Sequence, residues 1–81
     1  MCYNIMAIRL SNRTEHAQAV QKVLTEHGCN IRARLGLHEA GDQCSAEGLM
    51  VLQLCGEDGE LKELEGALNA LESVTAKLIQ L

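Results

Sequence analysis

The sequence predicts an α+β sandwich: a four-stranded antiparallel sheet with two helices on one face. Three observations carry this expectation. A pair of apolar runs flanks a polar loop between Cys29 and Gly56. A segment with helical apolar spacing precedes that pair and another follows it. The two halves of the chain also share one pattern: IMAIRL at residues 5–10 returns as LMVLQL at residues 49–54.

The central pair sets the frame. Ile31, Ala33, Leu35 and Leu37 alternate with Arg32, Arg34 and Gly36, the period-2 signature of a strand with one buried face. That alternation places Arg32 and Arg34 off the helix-packed face. Gly48 to Leu54 is apolar at all but Gly48 and Gln53, as in a central strand covered on both faces. The loop between them holds His38, Glu39, Asp42, Cys44 and Glu47.

Upstream, residues 3–10 read as the first strand. Asn12 is the expected N-cap of a first helix, with Glu15 completing a loose capping box. Ala17, Val20, Leu24 and His27 then share one face, with Val23 beside them, and Gly28 fits the helix stop. His16 is expected in solvent and His27 at the edge of the core. Downstream, Glu57, Asp58 and Glu60 put negative charge in the first turn of a second helix, where the macrodipole favours it. Leu61, Leu64, Leu68 and Leu71 form its apolar stripe. Gly66 inside this helix costs about 1 kcal/mol relative to alanine, which points to a close backbone contact there. Residues 74–81 make the last strand.

The order is therefore β-α-β-β-α-β. Two βαβ halves of this kind build a ferredoxin-like sandwich spanning residues 1–81 as a single domain. Right-handed crossovers give the strand order 4-1-3-2. Strands 1 and 3 are apolar on both sides, so the face away from the helices is expected to be covered. Another subunit is the simplest cover, and a neighbour added at the edge of strand 2 or strand 4 is the other route.

Composition narrows the class of function. The chain has 81 residues, of which 47% are hydrophobic, and Tyr3 is its one aromatic. A domain of this size buries only about 60% of its unfolded surface, so oligomerisation is an efficient source of stability. The net charge is −4 and the seven basic residues are scattered, which disfavours direct nucleic-acid binding. No apolar run approaches the ~18 residues of a membrane span. The N-terminal MCYNIMAIRL has no basic stretch ahead of its apolar run, so no signal peptide is expected. The cytoplasm follows by default, and the four cysteines should be reduced there. They form no CxxC pair, which argues against a zinc ribbon or a thioredoxin motif.

Candidate sites fall at two ends of the sheet. With strands 1 and 3 running parallel, Cys2 and Tyr3 are expected beside the His38–Glu47 loop. Cys2, His38 and Cys44, with Glu39 or Asp42, then form a candidate soft-metal set. The alternative is a solvated loop with an incidental histidine and two small thiols. The other end gathers Ser11, Asn12, Arg13, Cys29, Asn30, Cys55 and Gly56. Exposed backbone N–H groups at the starts of both helices make it a candidate site for a small anionic effector. Cys29 and Cys55 are expected to lie close together, unbonded, as small hydrophobes. No nucleophile elbow, HExxH or phosphate-cradling glycine loop is present, so no enzymatic activity is expected.

The segment from Arg32 to Leu81 resembles the small ACT-like proteins described as regulators of the iron-only hydrogenase system. Arg34, Gly36, the polar hairpin loop, the apolar third strand and the leucine-rich second helix carry the resemblance. It implies a ferredoxin-like fold, a homo-oligomer and a regulatory role exerted through a small effector or a protein partner, and it specifies no cofactor. The expected fold is also similar to the metal-binding domain of nickel-responsive repressors. Those carry a His-x-His at the end of strand 2 and a cysteine before strand 3. Here His38 and Cys44 occupy comparable places, while Gly36 or Leu37 stands for the first histidine. This second resemblance implies a metal sensor or carrier as the alternative function.

Overall fold

Alternation along β1 (Asn4–Leu10) decides the layering of the molecule. Met6, Ile8 and Leu10 are buried, while Ile5 and Ala7 are half-buried and Arg9 is exposed. This computed structural model describes residues 2–11, 13–37 and 48–81. After β1 come α1 (Arg13–Glu26), a short 3-10 turn (Gly28–Asn30), β2 (Ile31–Leu37), β3 (Gly48–Leu54), α2 (Asp58–Asn69) and β4 (Val74–Gln80). The strands form one sheet in the order β2-β3-β1-β4. Every neighbouring pair is antiparallel. This is the ferredoxin-like α+β fold that the sequence predicts.

The core lies between one face of the sheet and the two helices. Met6, Ile8, Leu52, Leu54, Val74 and Ala76 meet Val20 and Leu24 of α1 and Leu61, Leu64 and Leu68 of α2 in a single cluster. The leucines of α2 are spaced three and four apart, so they project from one face. Leu71 falls beyond the helix end and is half-buried. Gly66 is exposed, and a methyl group there would meet open space. The close backbone contact expected at Gly66 is absent, so only its helix-weakening entropy remains. Gly66→Ala is therefore expected to raise stability by about 0.5–1 kcal/mol in chemical denaturation.

Two features of the edges bear on function. In β2 the register passes from Ile31 opposite Leu54 to Ala33 opposite Gln53, leaving Arg32 as the extra residue of a bulge. The phase of the strand flips there. Ile31 packs against the core, whereas Ala33 and Leu35 face the other way and are exposed. Arg34 consequently lies on the helix side, where its guanidinium donates to Gln21 Oε1 of α1 at 3.0 Å. The single buried face expected for Ile31, Ala33 and Leu35 is thus divided, and Arg34 does not point away from the helices.

At the opposite edge, α2 covers the outward backbone of β4. Asn69 Nδ2 donates to the Ala76 carbonyl at 2.9 Å, and the Ala76 N–H donates to Asn69 Oδ1 at 2.8 Å. The Leu78 N–H donates to Glu65 Oε2 at 2.6 Å. Polar groups that an edge strand would otherwise expose are therefore occupied from within the chain.

Candidate functional site

The antiparallel ladder redistributes the candidate residues. Asn4 pairs with Leu54 and with Gln80, and Leu10 pairs with Gly48 and with Val74. Strand 1 therefore begins where strand 3 ends, contrary to the parallel arrangement expected from sequence. Cys2 sits at the Leu54 end, while Leu37 and Gly48, which bracket the polar loop, lie at the other. Of the candidate metal set, Cys2 is in a disulfide, and His38 and Cys44 lie outside the described residues. So do Glu39 and Asp42. Among the described residues, no group of three or more histidine, cysteine or acidic side chains is arranged to hold a metal ion.

The candidate effector set divides in the same way. Ser11 and the start of α1 at Arg13 lie at the Gly48 end, and Asn12 is outside the described residues. The Ser11 N–H already donates to the Ser73 carbonyl at 2.8 Å. Cys29, Asn30, Cys55 and Gly56 remain together at the Leu54 end. There the Cys55 N–H donates to the Asn30 carbonyl at 2.8 Å, and Asn30 Nδ2 returns a bond to the Cys55 carbonyl at 3.1 Å. The start of α2 at this end is not open to an anion. The Glu57 N–H donates to Glu60 Oε1 at 3.1 Å, and Asp58 adds a second carboxylate to the first turn.

Gly56 makes this junction possible. Its φ of 147° lies in a region that L-residues rarely adopt, and an added Cβ would collide with Asn30 Nδ2. Gly56→Ala should therefore cost about 1–3 kcal/mol in an equilibrium unfolding measurement. The strained φ supplies the main cost, and displacing Asn30 Nδ2 from the Cys55 carbonyl adds to it.

Cys55 is bonded to Cys2, with their Cα atoms 5.3 Å apart, and Cys29 is a free, exposed thiol. Cys29 adjoins Asn30, which is hydrogen-bonded to Cys55, and Cys55 is in a disulfide rather than the reduced state expected from sequence. Sequence spacing missed Cys2 as the partner. The signal that identifies it is strand direction: Cys2 precedes β1 by two residues and Cys55 follows β3 by one.

The other candidate site is a surface, the sheet face away from the helices. Its centre is Ile5 and Ala7 of β1 with Val51 of β3, flanked by exposed Leu35, Leu49 and Ile79. Tyr3 stands at one margin, 59% exposed. The polar side chains among the described residues of this face are Arg9, Gln53, Thr75 and Lys77. Among the described residues this face carries no carboxylate side chain, although the whole chain has a net charge of −4. Several of the acids lie along α2.

No family model and no curated protein matches the chain. Solved structures do match it. An uncharacterized protein from Thermotoga maritima superposes with a TM-score of 0.84 at 20% identity, over 96% of this chain and 94% of that one. The apo form of CPII, a nitrogen regulatory PII-like protein from Thiomonas intermedia, gives a TM-score of 0.57 at 14% identity, over 96% and 89% of the two chains. The same protein bound to ADP, AMP and bicarbonate gives 0.52 at 19% identity, over 96% and 88%. At these identities the likeness is one of fold. No helix among the described residues is long and apolar enough to cross a membrane.

Proposed function

We propose that the chain is a non-catalytic regulatory module that assembles with copies of itself through the helix-free face of its sheet and responds to a small effector. The observation that carries this reading is the apolar centre of that face, built from Ile5, Ala7, Leu35, Leu49, Val51 and Ile79. Four strands about 4.8 Å apart, each of seven residues rising about 3.3 Å, give a face of roughly 19 by 23 Å. Two copies would bury on the order of 1,000 Å² in total once side-chain relief is included, near the lower bound of specific interfaces. Apolar burial at about 25 cal/mol per Å² offsets the cost of association at that size. The expected assembly is therefore reversible at micromolar concentration. The occupied edge of β4 further favours face-to-face contact over edge addition on that side.

The effector part of the proposal is supported by the fold shared with the nucleotide-bound PII-like protein. The place of action, the iron-only hydrogenase system, is supported by the resemblance carried by Arg34, Gly36 and the leucine-rich α2. Sedimentation equilibrium over a concentration series tests the assembly, and an 8.8 kDa species throughout would overturn it. Thermal shift of the same sample with adenine nucleotides, bicarbonate, amino acids and divalent metals tests the effector. A rise with a metal alone, lost in Cys44→Ser, would replace this reading with the sensor or carrier.

A further inference from the structure

Three cysteines distant in sequence lie at the Leu54 end of the sheet, and two of them are bonded. Cys2 and Cys55 close a loop with a sequence separation of 53. Among the described residues the segment ahead of β1 is also held by hydrogen bonds: Gln53 Nε2 donates to the Cys2 carbonyl at 3.1 Å, and the Leu81 N–H donates to the Tyr3 carbonyl at 3.3 Å. The third cysteine, Cys29, adjoins Asn30, which holds Cys55 through both its carbonyl and its side-chain amide. Hydrogen-bonded neighbours lie about 5 Å apart and successive Cα atoms 3.8 Å apart. Cys29 is thus placed within about 9 Å of Cys55, one small backbone adjustment from the roughly 4.4–6.8 Å a disulfide spans. The turn that carries Cys29 lies at the surface: Gly28–Asn30 buries no residue, and a Cβ added at Gly28 would meet open space.

We propose that Cys2, Cys29 and Cys55 form an intramolecular thiol–disulfide exchange centre, in which Cys55 bonds alternately to Cys2 and to Cys29. The exposed Cys29 thiol loses its proton to water, and the thiolate attacks Cys55 Sγ. The Cys29–Cys55 bond forms as the Cys2–Cys55 bond breaks, and Cys2 leaves as a thiolate that takes up a proton. One disulfide is exchanged for another, with no net oxidation. The outcome is mechanical: residues 2 and 3 are fastened covalently to the end of β3 in one state and held by hydrogen bonds alone in the other. This inference goes beyond the regulatory reading and does not depend on the assembly.

The test uses the full chain equilibrated in a glutathione redox buffer. Thiols are trapped with an alkylating agent at low pH, and cysteine pairs are mapped by mass spectrometry. Wild type is expected to contain both Cys2–Cys55 and Cys29–Cys55. Cys2→Ser should move the population to Cys29–Cys55, and Cys29→Ser should leave Cys2–Cys55 alone. The proposal is overturned if Cys29 stays free in Cys2→Ser at a redox poise where wild type is bonded. Pairing of Cys29 with Cys44 in place of Cys55 overturns it equally, as does wild type with Cys55 free at every poise. The wild-type map decides the question even if a variant fails to fold.

Discussion

On the proposed assembly through the sheet face, Val51→Asp is expected to sediment as an 8.8 kDa monomer where the wild type is larger, with its circular dichroism unchanged. Val51 lies opposite Ala7 on one side and Leu35 on the other, in the middle of the helix-free face. It is half-buried in the isolated chain, so solvent remains available to a carboxylate there. The monomer should tolerate the change at a cost of about 1 kcal/mol, the span of strand preferences. Two copies meeting across this face would bring two carboxylates into an apolar centre without partners, a penalty of several kcal/mol. That exceeds what an interface of this size supplies in surplus. Association that persists unchanged in Val51→Asp would move the contact elsewhere on the molecule and remove the assembly proposed for the sheet face.

Leu64→Ala is expected to lower unfolding free energy by about 2–5 kcal/mol. Leu64 has no solvent exposure and sits between Leu61 and Leu68, at the centre of the stripe that seals the core. Removing its isobutyl group leaves a void that neighbouring strands cannot collapse to fill, because the sheet ladder holds them at fixed spacing. A small domain has little stability in reserve, so this one substitution should shift the urea midpoint markedly. A loss below about 1 kcal/mol would mean that α2 presents a different face to the sheet.

The fold was legible where a residue's environment follows from its own spacing. The leucines of α2 and the two-sided apolarity of β1 and β3 report directly on burial. What was not legible depended on relations between strands. Arg32 creates a bulge by adding one residue between two paired positions, and nothing in IRARLGL distinguishes that from unbroken alternation. The reading of Ala33, Leu35 and Arg34 was inverted as a result. Strand direction decided the site. Because β1 opposes β3, the start of one meets the end of the other, which moved Cys2 to Cys55 and split Ser11 from Cys29. The free sheet face was readable because it needs only a count of apolar residues on both sides of a central strand. The partner of a cysteine was not, since it depends on where chain ends arrive in space.

The side chains of α2 along β4 also set a limit on growth. A sheet with two open edges can add copies at both and polymerise without end. Here Asn69 fills the outward N–H and carbonyl of Ala76, and Glu65 takes the N–H of Leu78. One flank of the sheet is closed by the chain itself. With the middle of β4 covered, backbone pairing between copies is directed to β2 against β2, which uses one edge of each copy and stops at two.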